Sequence, residues 1–117
     1  MPTIRDLVAA IRQRDGVEAA VVLGRDGLLI DGQAVDGLDI EHISAHVPSI
    51  LSAAEEFANA AARGALVTTV IEYANGLGIM TVLSTDAVLL VLVQANANIG
   101  QLLFELRRNR EHIAALV

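Results

Sequence analysis

The chain contains no cysteine, no lysine and no tryptophan among its 117 residues. Without cysteine it has no disulfide, no thiolate nucleophile and no cysteine-ligated metal. Without lysine it has no P-loop, because the lysine of that motif contacts the bound phosphates. All eight basic residues are arginine, a usage that favours a bacterial source with GC-rich coding. Aromatic residues make up only 3% of a chain that is 54% hydrophobic, so we expect an aliphatic core.

Positive charge and long hydrophobic runs are also scarce. The net charge of −6 argues against a nucleic-acid partner, because phosphate binding needs a basic surface. The longest uninterrupted apolar run, Ala87 to Val93, is far shorter than the about 20 residues that span a bilayer. Charged residues at the start of the chain occupy positions where a signal peptide needs an apolar segment. We therefore expect a cytoplasmic protein without an integral membrane segment.

Hydrophobic periodicity and turn residues predict alternating helices and strands. Thr3, Asp39 and Asn98 are candidate N-caps, Asp26-Gly27 predicts a type I′ hairpin turn, and Asn75-Gly76 predicts a second hairpin. In chain order we expect a helix that begins at Ile4 and ends at Asp15-Gly16, strands at 17–24 and 28–30, a long helix at 40–63, strands at 66–73, 77–84 and 87–93, and a helix after Asn98.

This order, α-β-β-α-β-β-β-α, predicts an α/β fold of the α+β type. The last two strands are apolar at nearly every position, so both faces of their sheet must be covered. We expect a three-layer sandwich, in which a five-stranded antiparallel sheet has one long helix on one face and two helices on the other. Residues 1–117 then form a single domain.

The long helix has two different faces. Its apolar residues recur at helical spacing and are expected to pack on the sheet: Ile40, Ile43, Val47, Ile50, Leu51, Ala54, Phe57, Ala58 and Ala61. The opposite face is small: Ala45, Ser49, Ser52, Ala53, Glu56 and Ala60. Such a face lets another helix come close, so it predicts a partner. Pro48 interrupts the helix, and we expect either a kink near Ser44 or a regular helix that begins at Pro48.

Three segments, taken with the order of elements, resemble the Roadblock / dynein light chain family over nearly the whole chain. They are Ala20 to Ile30, Glu72 to Gly76 and Ala97 to Leu102. The resemblance implies homodimers in which the long helices lie side by side and the third strands pair into one continuous sheet. It also implies regulation of a Ras-like small GTPase, because bacterial members of the family resemble the GTPase regulators of gliding motility.

The residues also predict a dimer without the resemblance. If 66–73 is an edge strand, it exposes unpaired backbone beside Val67, Val70 and Ile71, and an edge of this kind aggregates unless it is covered. Pairing with a second copy about a two-fold axis is the simplest cover. The predicted dimer and partner interface is His42, Ala45, Ser49, Ser52, Ala53, Glu56, Ala60, Arg63, Val67, Thr69 and Ile71.

Candidate chemistry is sparse. His42 and His46 have the i, i+4 spacing of two metal ligands on a helix, but no third ligand follows at a suitable spacing, so we expect no metal site. The acidic group Asp31, Asp36, Asp39 and Glu41 lacks the pattern of an EF-hand loop. Arginines at a hairpin tip and in the last helix could act as arginine fingers: Arg25, Arg107, Arg108 and Arg110. The alternatives are that Arg25 lies in solvent and that the other three interact with the C-terminal dipole of their helix.

The sequence therefore favours a homodimeric, non-catalytic interaction module without a cofactor. Through its paired long helices it would activate or position a Ras-like small GTPase. One alternative is a purely structural scaffold, which needs the same surface. Another is a small-molecule sensor domain, which predicts a pocket with convergent polar groups.

Overall fold

A computed structural model describes residues 3–117. In chain order its elements are α1 (Ile4–Arg12), β1 (Val17–Gly24), β2 (Leu29–Ala34), α2 (Ile40–Ala45), α3 (Val47–Ala61), β3 (Thr68–Tyr73), β4 (Gly76–Val82), β5 (Ala87–Gln94), α4 (Ile99–Arg108) and α5 (Arg110–Ala114). The predicted order of helices and strands is confirmed, with two predicted helices each divided in two.

The five strands form one antiparallel sheet in the order β2-β1-β5-β4-β3. The strands β1, β4 and β5 are buried on both faces, as their apolar sequences require. One core cluster joins the sheet to α1, α4 and α5, and a second joins its opposite face to α2 and α3. The predicted three-layer α+β sandwich is confirmed.

The helix starts follow the predicted caps. Thr3 and Asp6 form a reciprocal capping box, with N–H to side-chain oxygen distances of 3.0 and 3.2 Å. The side chain of Asp39 accepts the His42 N–H at the start of α2, and that of Asn98 accepts the Gln101 N–H at the start of α4.

The first hairpin differs from the predicted type I′ turn. A type I′ turn needs a positive φ angle at both central residues. Gly27 has a φ of 90°, but the φ of Asp26 is not positive. The Gly27 N–H donates to the Gly24 carbonyl at 2.9 Å, and the Gly24 N–H to the Leu28 carbonyl at 2.8 Å. The loop is therefore one residue longer, and Ile30 bulges from β2 where the register shifts.

Several other boundaries also differ. Helix α1 ends at Arg12, whereas the sequence predicts its end at Asp15-Gly16. Strand β2 reaches Ala34 and is longer than predicted, whereas β3 begins at Thr68, two residues later than predicted. Tyr73 pairs with Gly76, so the second hairpin turns one residue earlier than Asn75-Gly76 suggests. Leu83 and Ser84 belong to the β4–β5 turn, because their N–H groups both donate to the Ala87 carbonyl.

The long helix is broken at His46, and this corrects the prediction of one continuous helix. Because Pro48 has no N–H, it cannot donate to the Ser44 carbonyl and so cannot continue α2. In the first turn of α3 the missing N–H costs nothing, because N–H groups there have no partner within the helix. Of the two expectations for this region, a helix whose regular part begins near Pro48 is the one confirmed. The last helix is broken in a similar way at Asn109.

Candidate interaction surface

All eight helix-side residues of the predicted interface are exposed. They do not lie on one helix. His42 and Ala45 belong to α2, and Arg63 follows the end of α3. The other five share one side of α3 by helical spacing, and this surface is called the α3 face: Ser49, Ser52, Ala53, Glu56 and Ala60.

Phe57 corrects the predicted core stripe. Its spacing places it on the sheet side of the helix, but its side chain is 77% exposed beside the α3 face. In α3 only Val47 and Leu51, from the first two turns, are fully buried. The second half of this 15-residue helix therefore carries apolar surface that nothing within residues 3–117 covers. Phe57 belongs to the candidate interaction surface.

Two contacts with the β1–β2 hairpin help to fix the position of α3. The Arg25 guanidinium forms an ion pair with Glu55 on α3. Gly27 lies so close to the start of α3 that a Cβ there would be 3.2 Å from Pro48 Cγ and 3.3 Å from the Ser44 carbonyl oxygen. The hairpin tip thus rests in the break between α2 and α3, so the orientation of the α3 face depends on it.

Strand β3 is an edge of the sheet with an unbroken register of six pairs to β4. The Val82 N–H donates to the Val67 carbonyl at 3.0 Å, so residues 67, 69, 71 and 73 direct their backbone groups to β4. By alternation, Thr68, Val70 and Glu72 direct theirs away from the sheet. The predicted bare edge is confirmed within the described residues, and Val70 on it is 42% exposed.

The edge residues of the predicted interface lie on the same side of the sheet as α3. Thr69 pairs with Met80, whose side chain belongs to the core beneath α2 and α3, and Ile71 packs partly against that core. Val67 is 37% exposed. The Thr69 hydroxyl is buried and has no hydrogen-bond partner among the described residues.

Tyr73 extends this surface and was not singled out from the sequence. Its ring covers the neighbouring strand, since a Cβ on Gly76 would be 3.0 Å from Tyr73 Cε2. The hydroxyl donates to the Leu77 carbonyl at 3.4 Å. Burial, and then the negative charge of Glu18, raise the pKa of the Tyr73 phenol above its usual value of 10.

The other sheet edge has a different character. Strand β2 is interrupted by the bulge at Ile30, and it contains Asp31 and Gly32. Bulges and acidic residues are devices that discourage edge-to-edge pairing. The regular, β-branched edge of β3 is therefore the better template for a further strand.

The two candidate histidines contact each other, and two of the candidate arginines are engaged within the fold. The His42 and His46 rings lie edge to face with centroids 5.0 Å apart. Among residues 3–117 no cluster of three or more His, Asp or Glu side chains has metal-site geometry. Arg25 is held by Glu55, and the Arg110 guanidinium donates to the Val82 carbonyl at 3.1 Å. No helix within this range has the length and hydrophobicity to cross a membrane.

A cleft of about 490 Å³ lies where the end of α1 meets the start of α4, on the sheet face opposite α3. Five of its polar lining residues are exposed, and the half-buried Arg14 is engaged in an ion pair with Glu105: Asp15, Gln94, Asn96, Asn98 and Gln101 are the exposed five. They do not converge in an enclosed interior, so the cleft lacks the form that the small-molecule alternative predicts.

Fold and surface together define an α+β interaction module, with an uncovered helix face and an uncovered strand edge on one side of its sheet. The chain belongs to the Roadblock/LC7 domain family, whose family model matches residues 3–93. The predicted family is therefore confirmed, and with it the coarse class of regulatory or interaction module.

One sequence relative and two solved structures illustrate what the chain is similar to, and the two structures show the shared fold. The uncharacterized protein MJ1340 of Methanocaldococcus jannaschii is 31% identical over 106 residues, which cover 91% of this chain and 92% of that protein. The Roadblock/LC7 domain from Streptomyces avermitilis superposes with a TM-score of 0.83 at 20% identity, covering 96% of this chain and 95% of that one. The gliding protein MglB from Thermus thermophilus superposes with a TM-score of 0.83 at 13% identity, covering 97% of this chain and 87% of that one.

Proposed function

We propose that this chain is a homodimeric, non-catalytic module that binds a Ras-like small GTPase in the cytoplasm and regulates its nucleotide cycle or its placement. The observation that carries the proposal is the α3 face, which is exposed among residues 3–117, together with a regular β3 edge whose residue Ile71 packs on the same side of the sheet. Family membership supports it, and so does the shared fold with a gliding protein.

Dimerisation accounts for both uncovered features at once. Antiparallel pairing of two β3 edges would satisfy the outward N–H and C=O groups of Thr68, Val70 and Glu72 and would join two sheets into one. The same two-fold axis would bring the two α3 helices together. Their small side chains permit close approach, and burial of Phe57 would stabilise the dimer by about 1.5–3 kcal/mol per copy.

The edge contribution is tested with a proline that spares the fold. In Val70→Pro the lost N–H points away from β4, so the existing sheet keeps its hydrogen bonds, but the proposed pairing loses a donor. Ala34→Pro is the matched control. The Val35 N–H donates to the Glu18 carbonyl at 2.9 Å, so the Ala34 N–H points outward from the β2 edge.

Sedimentation velocity over a range of concentrations measures the outcome. We expect the parent chain and Ala34→Pro to sediment as dimers, and Val70→Pro to sediment as a folded monomer. Thermal unfolding of each variant checks the fold. A Val70→Pro protein that dimerises as strongly as its parent would contradict β3 pairing.

The helix contribution is tested with a bulky charge. Ala53→Arg places a guanidinium in the centre of the α3 face, where two copies or a copy and its partner would meet. We expect it to break the dimer or the GTPase complex while the fold remains. Ala10→Arg, at an exposed position of α1 on the opposite sheet face, is the control with the same charge change. An Ala53→Arg protein that keeps both interactions would exclude this face.

We further propose that any effect on GTP hydrolysis comes from positioning the partner's own catalytic groups. The Arg25 guanidinium is engaged by Glu55, and Arg107 and Arg108 belong to a helix on the opposite face of the sheet from α3. A module of this kind would act by shifting the population of the partner's switch conformations.

The partner is tested by affinity capture from a lysate of the source organism, in the presence of GDP or of a non-hydrolysable GTP analogue. We expect a small GTPase to be recovered in one nucleotide state, and Ala53→Arg to lose it while Ala10→Arg keeps it. Equal recovery in both states would instead favour the structural scaffold. Recovery of no GTPase in either state would contradict the GTPase assignment and leave the dimer to be judged by sedimentation.

A further inference from the structure

Helix α4 has an outer face that the fold does not use. Leu102 and Leu106 bury its inner side against the sheet. The opposite side is called the α4 outer face and consists of Gly100, Phe104, Arg107 and Arg108, at the i, i+4, i+7 and i+8 spacing of a helix-packing stripe. The Phe104 side chain is 61% exposed at the centre of this stripe.

Arg107 and Arg108 differ from the other arginines around them. The guanidinium groups of Arg12 and Arg110 donate to backbone carbonyls, and those of Arg14 and Arg25 form ion pairs with glutamates. Within residues 3–117 neither Arg107 nor Arg108 has a side-chain hydrogen bond or an ion pair, and both are exposed. Two cations without an ion-pair partner in this range therefore lie one turn beyond an exposed aromatic ring, in the last turn of α4, where the helix dipole also favours positive charge.

We propose that the α4 outer face binds an acidic amphipathic helix of another protein. Aromatic and arginine side chains are the residue types that concentrate binding energy at protein interfaces. The basic flank selects an acidic partner by charge complementarity, and Glu111, beyond the break at Asn109, limits the basic patch at its far end.

The shape of the face favours a helix. Gly100 has no side chain, and a Cβ there would meet only the Asn98 Oδ1, at 3.6 Å. A partner helix can therefore approach the backbone of α4 beside Phe104 and pack its own apolar stripe on the ring. The ten residues of α4 extend about 15 Å, which matches a partner helix of about three turns.

Two other occupants fit less well. An anionic membrane is an extended surface, so it would experience the net charge of −6 of the whole chain, against which only two arginines act. A partner helix contacts the α4 outer face alone, and charges more than a Debye length away are screened. A second copy would bring the same basic patch against this one. Because α4 lies on the opposite face of the sheet from α3, this site is independent of the proposed GTPase surface.

The test places a photo-cross-linking amino acid at Gln101, an exposed position on α4 near Phe104, in the full chain. Cross-linked segments from a lysate of the source organism are identified by mass spectrometry. We expect an acidic helical segment, and we expect Phe104→Ala to reduce its recovery by about tenfold or more. Arg108→Glu should also abolish recovery, whereas Arg5→Glu, with the same change in net charge, should not. Arg5 is a suitable control because its side chain is 84% exposed and its ion pair with Asp31 is long, with 4.0 Å between the charged atoms. Loss of such an exposed pair should have little effect on the fold.

The captured segment is then made as a peptide and titrated against the purified chain. Binding should weaken with added salt and vanish when the acidic residues of the peptide are replaced by their amides. The proposal is overturned if no segment is captured, if the segment is not acidic, if it comes from this chain, or if Arg108→Glu leaves capture unchanged. Arg108-dependent sedimentation with vesicles of phosphatidylglycerol, but not of phosphatidylcholine, would overturn it in favour of a membrane surface.

Discussion

Arg25, in the loop between β1 and β2, forms an ion pair with Glu55 on α3. These residues are separated by 30 positions in the chain, and their contact ties a hairpin loop to the helix that carries the candidate interaction surface. Together with the close approach of Gly27 to Pro48, it braces α3 from one side. An arginine finger at the hairpin tip would need a free guanidinium, but that of Arg25 is engaged by Glu55.

The first prediction is a measurable coupling between these two side chains. They are 28% and 41% exposed, and partly exposed ion pairs contribute about 0.2–1 kcal/mol, so a double-mutant cycle with Arg25→Ala and Glu55→Ala should give a coupling in that range. Urea unfolding of the four proteins measures it. Because Arg25 is engaged by Glu55, both single variants should alter the proposed GTPase regulation to the same extent. A large loss in Arg25→Ala alone would identify an arginine finger and contradict this assignment.

The fold class was predictable from sequence because its signals are local. Capping residues at Thr3, Asp39 and Asn98 marked the helix starts, and the continuous apolar runs of β4 and β5 marked strands covered on both faces. The break at His46 did not follow from sequence alone, since Pro48 permits either a kink or a new first turn. The tertiary contact with Gly27 lies at that break and has no sequence signal.

The candidate surface was predicted only in part. The small side chains of α3 and the bare edge of β3 followed from periodicity and strand order. Phe57 was assigned to the core because helical spacing gives the direction of a side chain but not how far the supporting sheet extends. Tyr73 was missed because its role depends on the glycine across from it in β4, a pairing that only the register reveals.

The second prediction concerns the glycine beneath Tyr73. A Cβ on Gly76 would be 2.5 Å from the Val93 carbonyl oxygen, a backbone atom that cannot move aside without disturbing β5. Gly76→Ala should therefore lower the free energy of unfolding by about 1–3 kcal/mol, as overpacking does elsewhere. Gly78→Ala is the control, because its Cβ would make an ordinary 3.4 Å contact with Leu92. Equal stability losses in the two variants, measured in urea, would contradict this packing.

The third prediction concerns the break between α2 and α3. Pro48→Ala leaves the first turn of α3 intact but restores freedom to the unfolded chain, which should lower the free energy of unfolding by about 0.4–1 kcal/mol. It also supplies an N–H for the Ser44 carbonyl, so helicity measured by circular dichroism should not fall. A Pro48→Ala protein more stable than its parent would show that the break is strained, contrary to the position of Pro48 in a first turn.

The fourth prediction uses Tyr73, the only tyrosine in a chain without tryptophan, lysine or cysteine. No other side chain titrates near pH 10, so absorbance at 295 nm follows this phenol alone. Burial and Glu18 raise its pKa, so the folded state keeps the proton after the unfolded state has lost it. Stability should therefore fall as the pH rises above about 10, and Tyr73→Phe should remove that fall.

The fifth prediction uses the pKa of Tyr73 to detect the proposed dimer. Tyr73 lies at the end of β3, and it is 44% exposed in the single chain. Pairing with a second copy would bury the phenol further, and deeper burial disfavours its charged form. The apparent pKa of Tyr73 should consequently rise with protein concentration in the parent chain and in Ala34→Pro. In Val70→Pro, which we expect to be monomeric, it should stay constant. A pKa independent of concentration in a parent chain that sediments as a dimer would place the dimer contact away from this end of β3.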